Sequence, residues 1–249
     1  MAKSLIYGIN AVESALNHDA ENLVRVWIDK RTRNERLLKL QPLLKTAGIS
    51  CALIDPNKLD EMAGRDNRHQ GVVAEYKSAK EYDENDLYDL LDKLDEPPFL
   101  LILDGVTDPH NLGACLRTAE GAGVHAVIAP RDNAVGLTPT VRKVASGAAE
   151  LVPFMSVTNL ARTMSTLRDR GIWITGTSDK ANKNLYAAEL TGAIALVMGA
   201  EGQGIRRLTE ENCDFLISIP MLGKVSSLNV SVATGVCLYE ALRQRRPNL

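Results

Sequence analysis

Apolar positions in the first third of the chain switch between two spacings. Val24-Arg25-Val26-Trp27-Ile28, Ser50 to Ile54 and Gly71 to Tyr76 are short apolar or alternating runs, which predict strands. Leu37, Leu40, Leu44 and Ala47 recur at helical spacing and predict an amphipathic helix over Asn34 to Ala47, stopped by Gly48. Shorter helices are predicted over Ile9 to Leu16 and Pro56 to Met62. Residues 1–77 therefore read as a small α/β module. In residues 78–98, Asp83 to Leu94 can form one acidic helix with Leu87, Leu90, Leu91 and Leu94 on a face, ended by Pro97-Pro98. This stretch reads as a linker.

The pattern changes again at Phe99-Leu100-Leu101-Ile102-Leu103, an uninterrupted apolar run of the kind found in a strand buried on both faces. Similar runs recur at His125 to Ala129, Ile172 to Gly176, Ala193 to Met198 and Phe215 to Ile219. Helical patterns lie between them at Asn111 to Gly121, Thr138 to Ala145, Asn159 to Arg170 and Ile205 to Asn212, and an apolar helix follows from Val230 to Leu242. Strands alternating with helices predict a parallel sheet covered on both faces over residues 99–249.

The net charge of -2 hides a division. Residues 1–77 hold 12 Lys+Arg and 10 Asp+Glu, residues 78–98 hold 2 and 8, and residues 99–249 hold 15 and 13. Two mildly basic blocks thus flank an acidic connector, so the acidic total does not exclude nucleic acid as a partner. In the first block, Lys30, Arg31, Arg33 and Arg36 form a cluster able to meet several phosphates, or merely a solvated helix start. The loop Arg65 to Gln70 adds Arg65, Arg68, His69 and Gln70 as candidate RNA contacts, although a lone loop histidine commonly has no such role. None of the four cysteines has C-x-x-C spacing, which argues against zinc, and no apolar run is long enough to span a bilayer. A reduced, cytoplasmic protein without metal is expected.

Three stretches stand at the carboxyl ends of predicted strands, where open α/β sheets bind ligands. They are Asp104 to Ala119, Leu196 to Gly204, and Leu216 to Val232. Singly, each has a plain reading: Asn111 or Ser227 and Asn229 as helix caps, Arg117 as a helix-surface residue, and Gly199, Gly202 and Gly204 as a turn. None matches a dinucleotide fingerprint or a Walker A loop.

Together, Asn-x-Gly-x-x-x-Arg-Thr-Ala, then Met-Gly-Ala-Glu-Gly, then Ile-Pro-Met and Ser-Ser-Leu-Asn-Val-Ser, in this order, resemble the SpoU (TrmH) branch of the SPOUT RNA methyltransferases. The resemblance covers about residues 99–249 and, with the first module, the whole chain. It implies a parallel sheet ending in a deep trefoil knot, S-adenosylmethionine (S-adenosyl-L-methionine) as cofactor, and a homodimer. It places Gly199, Ile219 and Leu228 around the cofactor, and Asn111, Arg117, Glu201, Ser227 and Asn229 around the reaction centre. The first module resembles the L30e-like RNA-binding domain of these enzymes. The implied activity is 2'-O-methylation of a guanosine ribose in 23S rRNA, expected in the peptidyl-transferase region. The rivals are the same chemistry on tRNA, or a non-catalytic RNA-binding assembly protein. The residue types suit the chemistry: a ribose hydroxyl is a poor nucleophile at neutral pH, and short polar side chains can align it. Arg117 is read either as the proton acceptor or as a phosphate anchor, the former requiring a large pKa shift.

Overall fold

The computed structural model describes residues 3–18, 20–64, 68–77, 82–200, 202 and 204–247. The chain divides into two compact units, residues 1–80 and 81–249.

In the first unit the elements run β1 (Lys3–Tyr7), α1 (Ile9–His18), β2 (Leu23–Asp29), α2 (Glu35–Thr46), β3 (Ser50–Ile54), α3 (Pro56–Ala63) and β4 (Val72–Lys77). The sheet order is β1-β4-β2-β3; β4 is antiparallel to β1 and β2, and β2 is parallel to β3. Strand alternation sorts the faces. Val26 and Ile28 of β2 join Leu37, Leu40 and Leu44 of α2 in one core, while Trp27 joins Leu59 and Ala63 of α3 on the other side. Asn34 starts α2 by accepting the Arg36 N–H at 3.0 Å, the ordinary work of an Asn at a helix N-terminus. Strand β1 escaped the sequence pattern. It is a short terminal segment whose place is set by its pairing with β4.

In the second unit the elements are α4 (Glu84–Leu91), β5 (Phe99–Asp104), α5 (Pro109–Gly121), β6 (Ala126–Pro130), α6 (Pro139–Ala145), α7 (Ala148–Leu151), β7 (Phe154–Val157), α8 (Leu160–Asp169), β8 (Trp173–Thr177), β9 (Lys183–Asn184), β10 (Ile194–Gly199), α9 (Arg207–Glu210), β11 (Phe215–Ser218) and α10 (Val230–Arg245). Seven strands form one sheet in the order β7-β6-β5-β10-β8-β11-β9, with every pairing parallel. The interior strand β5 is buried at every position, as its continuous apolar run predicts. Leu101, Leu103, Leu196 and Met198 pack under α5 and α10. Leu100, Ile102, Ala195 and Val197 face α8 and Leu87 of α4. The crossing of β10 between β5 and β8, followed by the return of α10 to the α5 face, fits the knotted sheet that the resemblance implies.

Two expectations change here. The helix predicted over Ile205 to Asn212 is the single turn α9, because Ile205 turns inward to the core before it starts. The acidic stretch is not a free connector from Tyr82 onward. Asp83 caps α4, Leu87 is wholly buried beside Met155 and Met164, and Tyr82 forms a parallel bridge with Met155. Asp89 and Asp92 are exposed, Glu84 accepts the Thr158 N–H at 2.6 Å, and Leu87, Leu90 and Leu91 pack into the core. Burial also pushes the Cys115 and Cys237 thiols up to about 11 and about 12, consistent with their reading as small core residues.

Leu87→Ala should therefore cost about 2–5 kcal/mol, the range for emptying a buried leucine site. Urea unfolding of the two proteins measures it; an unchanged midpoint would return residues 82–94 to the role of linker.

Candidate active site

In a parallel sheet all carboxyl ends lie at one edge. The register aligns Gly199, the last residue of β10, with Asp104, the last of β5. The chain beyond Gly199 then folds back on itself. Ala200 and Gly204 exchange two backbone hydrogen bonds, of 3.1 and 2.9 Å. A Cβ placed on Gly199 would lie 2.0 Å from the Gly204 carbonyl carbon, so no residue with a side chain fits there. Gly202 and Gly204 both have positive φ, at 73° and 66°.

This fold-back walls a cavity of about 440 Å³. Gly199, Ile219 and Leu228, the three residues expected at a cofactor, all line it, and so does Ser227. Thr177 to Lys180, beyond the end of β8, form another wall. That segment was missed in the sequence, although the end-of-strand rule applied to β8 would have found it. A second chamber of about 270 Å³ adjoins the first and shares Ala200, Gly204 and Val230 with it. Asp104, Asp108, Asn111 and Arg206 line this second chamber.

Asn111 and Asn229 meet directly: the Asn229 amide donates to Asn111 Oδ1 at 2.9 Å. Each also belongs to a helix start. Asp108 caps α5 by accepting the Asn111 N–H at 2.9 Å, and Asn229 Oδ1 caps α10 by accepting from Ser231 and Val232. The plain capping role and the site role are thus carried by the same residues.

Asp104 and Arg206 form a tie that the sequence pattern did not reveal. Asp104 is completely buried. Its carboxylate accepts the Arg206 backbone N–H at 2.9 Å and Nε–H at 2.7 Å, and a further short bond from the guanidinium. The only hint in the sequence is a charge closing an otherwise apolar strand.

The remaining expected residues fall elsewhere. Arg117 is exposed on α5, six residues and about 9 Å along the axis from Asn111, and lines neither cavity. Glu201 lies outside the described residues, as does Arg65. In the first unit, Lys30 pairs with Asp55 at 2.9 Å, and the hydrogen bond from that ammonium lowers the Asp55 pKa. Arg36 bonds Asn10 and Glu13. Arg31 lies 3.9 Å from Asp29, while Arg33 and Arg68 are exposed. His69 is half-buried and Gln70 is exposed, and each has a structural partner. His69 Nδ1 accepts the Gly71 N–H at 3.0 Å, and its Nε2 lies 2.9 Å from Asp60 Oδ1. Gln70 Oε1 accepts the Ile9 N–H at 3.1 Å. Both side chains hold the entry to β4 and the start of α1.

Breaking the tie should be asymmetric. Arg206→Ala leaves a carboxylate buried without its charged partner and should cost about 3 kcal/mol or more. Asp104→Ala leaves a guanidinium that is 45% exposed and can turn to water, so it should cost less. Denaturant unfolding of both variants tests the order; equal losses would contradict it.

Comparison with known proteins agrees with this geometry. The profile of the SpoU rRNA Methylase family matches residues 98–239, and that of an RNA 2'-O ribose methyltransferase substrate-binding domain matches residues 5–82. The chain is 59% identical to the 23S rRNA (guanosine-2'-O-)-methyltransferase RlmB of Pectobacterium atrosepticum over 97% of this chain and 98% of that one. It is 56% identical to RlmB of Escherichia coli K12 over the same shares. Among solved structures, the fold is similar to the SpoU methyltransferase AviRb of Streptomyces viridochromogenes in complex with AdoMet, with TM-score 0.73 and 24% identity over 97% of this chain and 90% of that one. A TrmH/SpoU tRNA modifying enzyme of A. aeolicus is 30% identical over 66% of this chain and 83% of its own, with TM-score 0.55. On the extent of the family match and of these full-length relatives, the chain belongs to the SpoU rRNA methylase family.

Proposed function

We propose that the protein transfers a methyl group from S-adenosylmethionine to the ribose 2'-hydroxyl of a guanosine in 23S rRNA. The observation that carries this reading is the pair of adjoining cavities with Asn111 and Asn229 joined beside their common wall. The full-length RlmB relatives and the match of residues 5–82 support rRNA over tRNA as the substrate.

The larger cavity fits the cofactor. Its volume of about 440 Å³ lies in the usual range for a small-molecule site. Gly199 leaves backbone where a side chain would stand, and Ile219 and Leu228 give apolar walls. Bound there, S-adenosylmethionine supplies a methyl group already activated by its positive sulfur.

The chain's own residues then have to align the attacking oxygen, whose proton passes to water as the methyl leaves the sulfur. Asn229 uses its oxygen on the start of α10 and an N–H on Asn111. The Asn111 amide is thereby oriented, with its NH₂ left as a donor for a ribose oxygen. Oriented short side chains act through positioning, which can supply a large part of a rate enhancement. Ser227 at the cavity wall offers a hydroxyl to the same edge. Arg117 acts as a phosphate anchor in this reading. It is exposed and has no ion pair among the described residues, so its planar guanidinium is available for a two-pronged contact to phosphate. Of the cations expected at RNA in the first unit, Arg33 and Arg68 are exposed with no ion pair among the described residues, while Lys30, Arg31 and Arg36 stand beside acidic partners that phosphate would have to displace.

The reading extends to a cytoplasmic homodimer. Helix α10 buries Cys237, Leu238 and Ala241, yet Val232 and Tyr239 on it remain about half exposed. A closed two-fold pair is the commonest way to cover such a surface. Within one copy Arg117 lies outside both cavities, which suits a site completed by a second copy.

Arg117→Ala should leave S-adenosylmethionine affinity nearly unchanged in isothermal titration. Transfer of tritiated methyl to 23S rRNA should fall by about two orders of magnitude, and Arg117→Lys should not restore it. Near-wild-type turnover in Arg117→Ala would remove the residue from the site. Light scattering at micromolar concentration should give twice the chain mass, and Tyr239→Asp should shift it toward the single chain. A monomeric wild type would reject the pairing.

A further inference from the structure

The smaller chamber beside the cofactor cavity carries its own chemistry. We infer that it receives the base of the target nucleotide and selects guanine through the carboxylate of Asp108; this deepens, and rests on, the function proposed above. The chamber measures about 270 Å³, below the usual range for a drug-sized ligand, and so suits a single base better than a second cofactor. It opens beside Asn111, the residue proposed to meet the ribose, so a nucleotide with its sugar at Asn111 can place its base inside.

Three groups in the chamber bear on which base fits. Asp104 is buried, and its carboxylate is already engaged by Arg206. The Arg206 guanidinium is held in a fixed plane by that same carboxylate and lines the chamber while 45% exposed. A held guanidinium plane is a surface on which a base can stack. Asp108 is the exposed carboxylate of the set. Its Oδ1 accepts the Asn111 N–H at 2.9 Å, and Oδ2 has no hydrogen bond among the described residues.

Each carboxylate oxygen has two lone pairs, so Oδ2 and the remaining lone pair of Oδ1 can take two adjacent donors. Guanine presents that pair on its Watson–Crick edge, as N1–H and the 2-amino group. Adenine and cytosine place a ring-nitrogen acceptor next to their amino group and would set a lone pair against the charge. Uracil has one N–H flanked by two carbonyl oxygens. Of the four bases, only guanine matches Asp108 without repulsion. A site built to bond donors also discriminates strongly against analogues that lack them.

Asp108→Asn separates this role from helix capping, since Asn caps about as well as Asp. The probes are 23S rRNA transcripts in which the methylated guanosine, located by ribose-methylation mapping, is kept or replaced by inosine, which lacks the 2-amino group, or by adenosine. With wild-type protein, kcat/KM should fall about tenfold or more on inosine and further on adenosine. Asp108→Asn should lose about ten- to a hundredfold on guanosine, should narrow the guanosine-to-inosine ratio to within about threefold, and should bind S-adenosylmethionine as wild type does. A variant that keeps the wild-type ratio would overturn the inference, whether its rate is unchanged or falls equally on all three transcripts. If wild type methylates the ribose with no preference among the three, the chamber is not a guanine site although the proposed activity stands. If wild type transfers no methyl to 23S rRNA, the proposed function fails and this inference falls with it.

Discussion

The second unit's functional edge depends on one close approach, that of Gly199 to the backbone of Gly204. A parallel sheet brings the ends of β5, β10 and β8 to one edge, but this alone leaves an open rim. It becomes two cavities because the chain leaving β10 doubles back within about a bond length of where a side chain would begin. The fold-back supplies Ala200 and Gly204 to both cavities. It also delivers Arg206 to Asp104, so a buried charge at the end of β5 is matched by a loop a hundred residues later in sequence. Without the close approach, Asp104 would be an unpaired charge in the core and the two cavities would merge with solvent.

Much of this was legible in the residues, for identifiable reasons. Until Asp104 closes β5, the strands β5 and β10 carry no polar side chain, because helices cover both faces, and such runs are hard to mistake. Motif order brought out Asn111, Gly199, Ser227, Leu228 and Asn229, all of which the fold gathers at one edge. The misses share a different cause. Strands β1 and β7 carry neither a clean alternation nor a continuous apolar run, and tertiary pairing defines them. The Asp104–Arg206 tie joins residues 102 positions apart, a separation invisible to local pattern. The acidic stretch looked like a linker because its charges outnumber its leucines, yet Leu87 decides its place.

The first unit shows how a polar loop carries structural duties. His69 and Gln70 stand in a run of polar residues that invites a binding role. Their side chains satisfy the backbone N–H groups of Gly71 and Ile9, donors that a turn would otherwise leave unmet. Gln70 adopts a positive φ of 52° to do so. Arg33 and Arg68, which have no such duty among the described residues, are the better candidates for an outside partner.

The Asp104–Arg206 pair also sets the charge of the wall between the two cavities. Arg206 lines the smaller chamber, next to residues that the larger cavity shares. A lone guanidinium in that place would repel any ligand whose positive charge sits close by, as a sulfonium does. Locked onto a fully buried carboxylate, it contributes shape and hydrogen bonds while its field is largely cancelled. The wall is rigid like an ion pair and close to neutral like an apolar one, a combination that neither residue could supply alone.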